Sequence, residues 1–112
     1  MTLSPVALFT YNRPDHTRKT VEALQQNKLS AQTDLFVFSD GPKDDVSESR
    51  INEVRNYLKN IKHFKSVNII ERKSNTGLAA NILAGVDQIL SAFETVIVLE
   101  DDLVTSPFFL EF

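Results

Sequence analysis

The sequence predicts an α/β protein built on a doubly wound, mostly parallel sheet. Four short apolar runs recur at similar intervals, helical periodicity fills the gaps between them, and turn-forming residues follow the runs.

The runs are Val6–Tyr11, Leu35–Ser39, Ser66–Glu71 and Thr95–Leu99. Each is rich in Val, Ile and Phe and nearly continuous rather than alternating, as expected of strands buried on both faces of a parallel sheet. The first helix starts near Pro14, because proline suits the first helical position. Thr17, Thr20, Val21 and Leu24 share one face of it. The second helix runs from about Ser47 to Asn60, with Ile51, Val54, Leu58 and Ile61 at helical spacing. The third starts near Asn75 or Thr76, with Asn75 as its cap. Leu78, Ile82, Leu83, Val86, Ile89, Leu90 and Phe93 give it a wide apolar stripe. The stretches "SDGPKDD" and "RKSNTG" follow strands, where βα loops belong. A further helix is expected to begin at Ser106–Pro107. The order βαβαβαβ, with right-handed crossovers, yields the doubly wound sheet.

A length of 112 residues fits one domain, residues 1–112, with a real core. The net charge of -3, without a basic tail, argues against nucleic acid or an anionic membrane as the main partner. The absence of cysteine excludes disulfides, thiolate-bound zinc and a thiol nucleophile. The N-terminus lacks the pattern of a signal peptide, and no apolar run approaches the ~18 residues of a membrane span. The expected setting is the cytoplasm, including the inner face of a membrane.

In doubly wound sheets, ligands bind beyond the carboxyl ends of the strands. That rule selects Thr10–Arg13, Ser39–Asp45, Arg72–Asn75 and Glu100–Asp102. The last is a run of three acids after an apolar strand. Ser106 and Pro107 already supply a cap and a first-turn residue for the next helix, so capping does not explain the acids. Side chains alternate along an extended chain, so Glu100 and Asp102 face one way and Asp101 the other. Such a pair suits a hard divalent ion. Spacing alone leaves ion site and solvated turn equally open. Asp40 can accept from an N–H donor, although an Asp-Gly turn explains "DGP" at least as well. Arg13 beside a helix N-terminus makes an anion site, or simply precedes a proline-started helix. His16 and His63 are isolated and read as surface residues. There is no G-x-G-x-x-G, Walker lysine or G-x-S-x-G pattern.

Taken together, "VALFTYNRPDHTRKTVEAL", "LFVFSDGP", "ERKSNTGLAANILAGV" and "VIVLEDDLVTSPFFLEF" resemble, in order and spacing, the N-terminal half of a GT-A fold glycosyltransferase of the family 2-like bacterial type. The closing stretch is also similar to the N-acetylglucosaminyltransferase I family, whose metal motif is likewise an E-D-D after an apolar strand. The resemblance covers nearly the whole chain. It implies a Rossmann-like fold of the nucleotide-diphospho-sugar transferase type, and transfer of a sugar from a nucleoside-diphosphate donor, a UDP-sugar, to an acceptor hydroxyl on a glycan, lipid or other molecule. It implies Mn²⁺ or Mg²⁺ as cofactor, with Asp102 as the direct ligand and Asp101 beside it. Glu100 and Asp101 would touch ribose, sugar or metal-bound water. Thr10 would lie near the nucleotide, Arg13 near the diphosphate or base, and Asp40 would accept from the uracil N–H. Arg72 and Asn75 would line the pocket floor.

In the resembled family the acceptor site and catalytic base lie beyond the position of Phe112. The expectation is therefore a donor-binding part, truncated after the metal motif and inactive alone. Its terminal Phe108, Phe109, Leu110 and Phe112 would be exposed and able to drive self-association. Two other classes remain in play: a receiver-like signalling domain and a non-catalytic nucleotide-binding module. A receiver would need an acidic pair after the first strand and an aspartate after the third, where this chain has "TYNR" and "ERK".

Overall fold

A computed structural model of the protein describes residues 3–101 and 110. Asp102, the expected helix start at Ser106–Pro107, and Phe108, Phe109 and Phe112 lie outside the described residues.

Four strands form one all-parallel sheet: β1 (Val6–Thr10), β2 (Asp34–Ser39), β3 (Ser66–Glu71) and β4 (Ile97–Glu100). Between them run α1 (Pro14–Gln25), α2 (Asp45–Leu58) and α3 (Leu78–Leu90), and a 3₁₀ turn at Ser30–Gln32 precedes β2. The spatial order is β3-β2-β1-β4. That is the 3-2-1-4 order of a dinucleotide-type half-sheet, not the 2-1-3-4 order of receiver domains. The order reverses between β1 and β4, and a crevice opens there.

Strand alternation sorts the core into two layers. Val6, Leu8, Leu35, Val37 and Leu99 face α1 and α2, where they meet Val21, Leu24, Val54 and Leu58. Ala7, Phe9 and Phe38 face α3 and pack with Ile89. Phe9 and Phe38 stack with ring centroids 5.1 Å apart. Burying a side chain of this kind contributes roughly 1.5–3 kcal/mol, so the two layers dominate the stability of the fold.

Helix α1 begins at Pro14, and its buried residues are Thr17, Thr20, Val21 and Leu24, as the periodicity indicates. Helix α2 starts two residues earlier than expected. Asp44 caps it, accepting from the Ser47 amide, and Ser47 closes a reciprocal capping box. Helix α3 departs further. It starts at Leu78 with Gly77 as N-cap, so Asn75 does not cap it. Gly77 has φ 86° and ψ 154°, a conformation reserved for glycine. The buried positions of α3 are Asn81, Gly85 and Ile89, while Leu78, Leu83 and Leu90 are exposed. Gly85 sets this rotation: a Cβ there would lie 2.7 Å from the Phe9 ring, so α3 presses its glycine against the aromatic pair.

β3 and β4 flank the sheet and are only partly covered, and Val98 is exposed. Leu110 is buried in the α1/α2 core, with its amide donating to Asn27 Oδ1 at 3.1 Å. It therefore packs within its own chain rather than standing free for self-association. His16 and His63 are exposed, as expected. Among the described residues, no helix is long and apolar enough to cross a membrane.

Candidate functional site

The register brings the strand ends level. Thr10 pairs with Ser39, Ser39 with Glu71, and Phe9 with Glu100. The ladder continues one step, with the Asp40 amide donating to the Thr10 carbonyl and the Arg72 amide to the Ser39 carbonyl. Above this edge lies a cavity of about 430 Å³, within the range of small-molecule sites. Phe9, Thr10, Tyr11, Asn12 and Arg13 line it from β1 and the turn into α1. Asp40 and Lys43 line it from the β2 end, Asn75, Gly77, Leu78 and Asn81 from the α3 side, and Glu100 and Asp101 from the β4 end.

Asp40 is buried, and its carboxylate is heavily engaged. Oδ1 accepts from the Gly41 amide at 2.8 Å, the Thr76 amide at 3.0 Å and the Thr76 hydroxyl at 3.0 Å. Oδ2 accepts from the Gly77 amide at 3.1 Å and Asn75 Nδ2 at 3.3 Å. A carboxylate has about four lone-pair positions, so these five donors fill it. Its present work is to hold the β3–α3 loop. Asn75 Nδ2 also donates to the Gly41 carbonyl at 3.1 Å. The β2–α2 and β3–α3 turns touch so closely that a Cβ on Gly41 would lie 2.4 Å from the Ser74 carbonyl carbon.

Arg72 is not brought into the cavity wall. It lies behind the wall, where Nε donates to Asn81 Oδ1 at 2.7 Å and the guanidinium sits 5.7 Å from the Phe38 ring centroid. The place of β3 in the sheet explains this: it lies two strands from the crevice between β1 and β4, and Arg72 packs there against Phe38 and Asn81. Asn81 takes the floor position instead. A polar residue inside the apolar stripe of α3 was the signal for it. Tyr11, Asn12 and Lys43 also join the wall without having been singled out individually. The Tyr11 hydroxyl donates to Ser47 Oγ at 3.3 Å and accepts from the Lys43 amide at 3.2 Å, tying β1 to the start of α2. The Ser47 main-chain and hydroxyl bonds to Asp44 hold that carboxyl below its ordinary pKa.

On the β4 side, Glu100 is exposed and Asp101 half-buried. Thr20 Oγ1, from the buried face of α1, donates to the Asp101 carbonyl at 3.0 Å and fixes the main chain of the acidic run. Thr10 lines the cavity, while its hydroxyl is buried on the face that Val6 and Leu8 share and has no hydrogen-bond partner among the described residues. Arg13 is exposed at the N-cap of α1 and makes no side-chain cap bond. Glu100 and Asp101 supply hard oxygen donors of the type divalent Mg²⁺ or Mn²⁺ prefers. Among the described residues, no set of three His, Asp or Glu side chains converges on one point. Asp102, the third acid of the run, lies outside them.

The family model for glycosyl transferase family 2 matches residues 6–111. The chain belongs to that family. Its membership fits the 3-2-1-4 sheet and displaces the receiver reading. Among solved structures, this family 2 chain matches the crystal structure of S. aureus TarS with a TM-score of 0.70 at 15% identity. The match covers 97% of this chain and 18% of that one. At such identity the likeness speaks for the fold, a Rossmann-like GT-A architecture. No curated protein matches the chain.

Proposed function

We propose that this family 2 chain forms the donor-binding part of a metal-dependent glycosyltransferase. Its cavity takes a nucleoside-diphosphate sugar, with UDP as the nucleotide that the resemblance favours, for transfer to an acceptor hydroxyl on a glycan, lipid or similar molecule. One observation carries the reading: a cavity at the strand-order reversal, with Arg13 at one edge and Glu100 and Asp101 at another.

Arg13 offers a planar, permanently charged group to the diphosphate. Thr10, at the end of β1, lies beside the nucleotide. Asp40 receives a base N–H by exchanging one present donor. Asn75 Nδ2 is the one that can leave, since its bond is the longest of the five and its residue is exposed. Asp102, with Asp101 beside it, would hold the divalent ion as a hard oxygen donor, and Glu100 would touch ribose, sugar or metal-bound water. When bound, that ion supplies positive charge against the charge growing on the departing UDP. Without it the carboxylates would repel the diphosphate.

The test is titration of UDP with and without Mn²⁺, in the wild type and in Asp102→Ala. Mn²⁺ should tighten UDP binding roughly tenfold or more, and the substitution should remove that dependence. UDP binding that ignores both the ion and the substitution would refute the metal role. Binding without any sugar transfer in the full-length protein would leave a non-catalytic nucleotide module.

A further inference from the structure

We infer that Arg55, which lies outside the cavity, is a positioning residue for its Asp40 wall. Arg55 sits on α2, on the opposite side of the sheet from the Asp40 carboxylate. Its Nε donates to Ser39 Oγ at 2.8 Å. Its Nη2 donates to three main-chain carbonyls: Ser39 at 3.3 Å, Asp40 at 3.2 Å and Arg72 at 2.8 Å. Among the described residues it has no ion pair. A guanidinium usually seeks a carboxylate; this one is spent on carbonyls where β2 and β3 run out of ladder.

Those carbonyls belong to the residues that begin the two touching turns. The result is a clamp with two halves. Arg55 holds the main chain of Asp40 and Arg72 from the α2 side. The Asp40 carboxylate then holds the amides of Gly41, Thr76 and Gly77 on the α3 side. Ser39 and Asp40 are adjacent on a strand and so point to opposite faces, which lets one dipeptide serve both halves. Loosening Arg55 frees the backbone that aims Asp40, and the loop bearing Asn75 and Gly77 loses its anchor. A lysine cannot replace it, because a single ammonium cannot reproduce the fork of Nε and Nη2 bonds.

The experiment compares Arg55→Met and Arg55→Lys with Val54→Ala, a core truncation on the same helix that lowers global stability without touching the clamp. Amide hydrogen exchange of Gly41, Thr76 and Gly77 is read by NMR, and UDP affinity by titration. In both Arg55 variants the three amides should exchange roughly tenfold faster than in Val54→Ala, and UDP should bind several-fold more weakly. Val54→Ala should leave UDP affinity within about twofold, because its effect is on global opening. Equal loop exchange in the Arg55 and Val54 variants overturns the inference. So does faster loop exchange with unchanged UDP affinity. The affinity arm rests on the donor-site reading and the exchange arm does not. A wild type that ignores UDP would therefore refute that reading, while the exchange data still decide whether Arg55 sets the wall. If Arg55→Met does not fold, Arg55→Lys carries the comparison.

Discussion

The two walls of the cavity are built in different ways. The β2/β3 wall is a dense polar network: Asp40 accepts from five donors, and Arg55 gathers three carbonyls and a hydroxyl. The β1/β4 wall is held by strand pairing, with one Thr20 bond to the Asp101 carbonyl behind it. Its Arg13 is exposed and makes no side-chain cap bond. Buried polar networks stiffen a site only when fully satisfied. The first wall spends most of its polar groups on its own shape, although the buried Arg72 Nη2 has no hydrogen-bond partner among the described residues, and the second leaves Arg13 exposed at its edge.

Substitutions can break this contrast, and the largest effect falls on the first wall. Asp40→Asn turns one acceptor into a donor among groups that already donate. It should cost about 3 kcal/mol, read as a lower urea midpoint, and remove UDP binding with it. Gly41→Ala drives a Cβ into the Ser74 main chain and should cost about 2 kcal/mol, with the β3–α3 loop amides losing protection. The second wall should respond otherwise. Thr20→Val keeps the volume and removes one bond, so stability should fall by about 1 kcal/mol. Its larger consequence should be weaker Mn²⁺-dependent binding of UDP, because the acidic run loses its main-chain tether. A loss of stability as large as that of Asp40→Asn, with the Mn²⁺ response intact, would erase the distinction between the walls.

Most of this framework was legible in the residues. Continuous apolar runs placed the four strands to within two residues, and Pro14 marked the start of α1. Strand ends gave the cavity, and Thr10, Arg13, Asp40, Asn75, Glu100 and Asp101 all reach it. What escaped depends on geometry between distant segments. Arg72 reads like a pocket arginine until the place of β3, two strands from the crevice, sets it against Asn81. The leucines of α3 read as its core face until Gly85 rotates the helix against Phe9 and Phe38. Asn75 looks like a cap until Asp40 claims the loop amides, and α3 begins at Leu78. Arg55 gives no local signal, because apart from the Ser39 hydroxyl its partners are carbonyls, and carbonyls leave no mark in a sequence.

The pairing of β1 with β4 also bears on how the protein is made. Val6 and Ile97 are neighbours in the sheet yet about ninety residues apart in the chain. Closing so long a loop carries an entropic cost that must be met before the contact returns anything. On the ribosome, β1, β2 and β3 emerge first and can assemble the clamped wall. The β4 edge cannot join until about ninety residues beyond β1 have been synthesised, so the nascent chain can complete one wall of its cavity before the other exists.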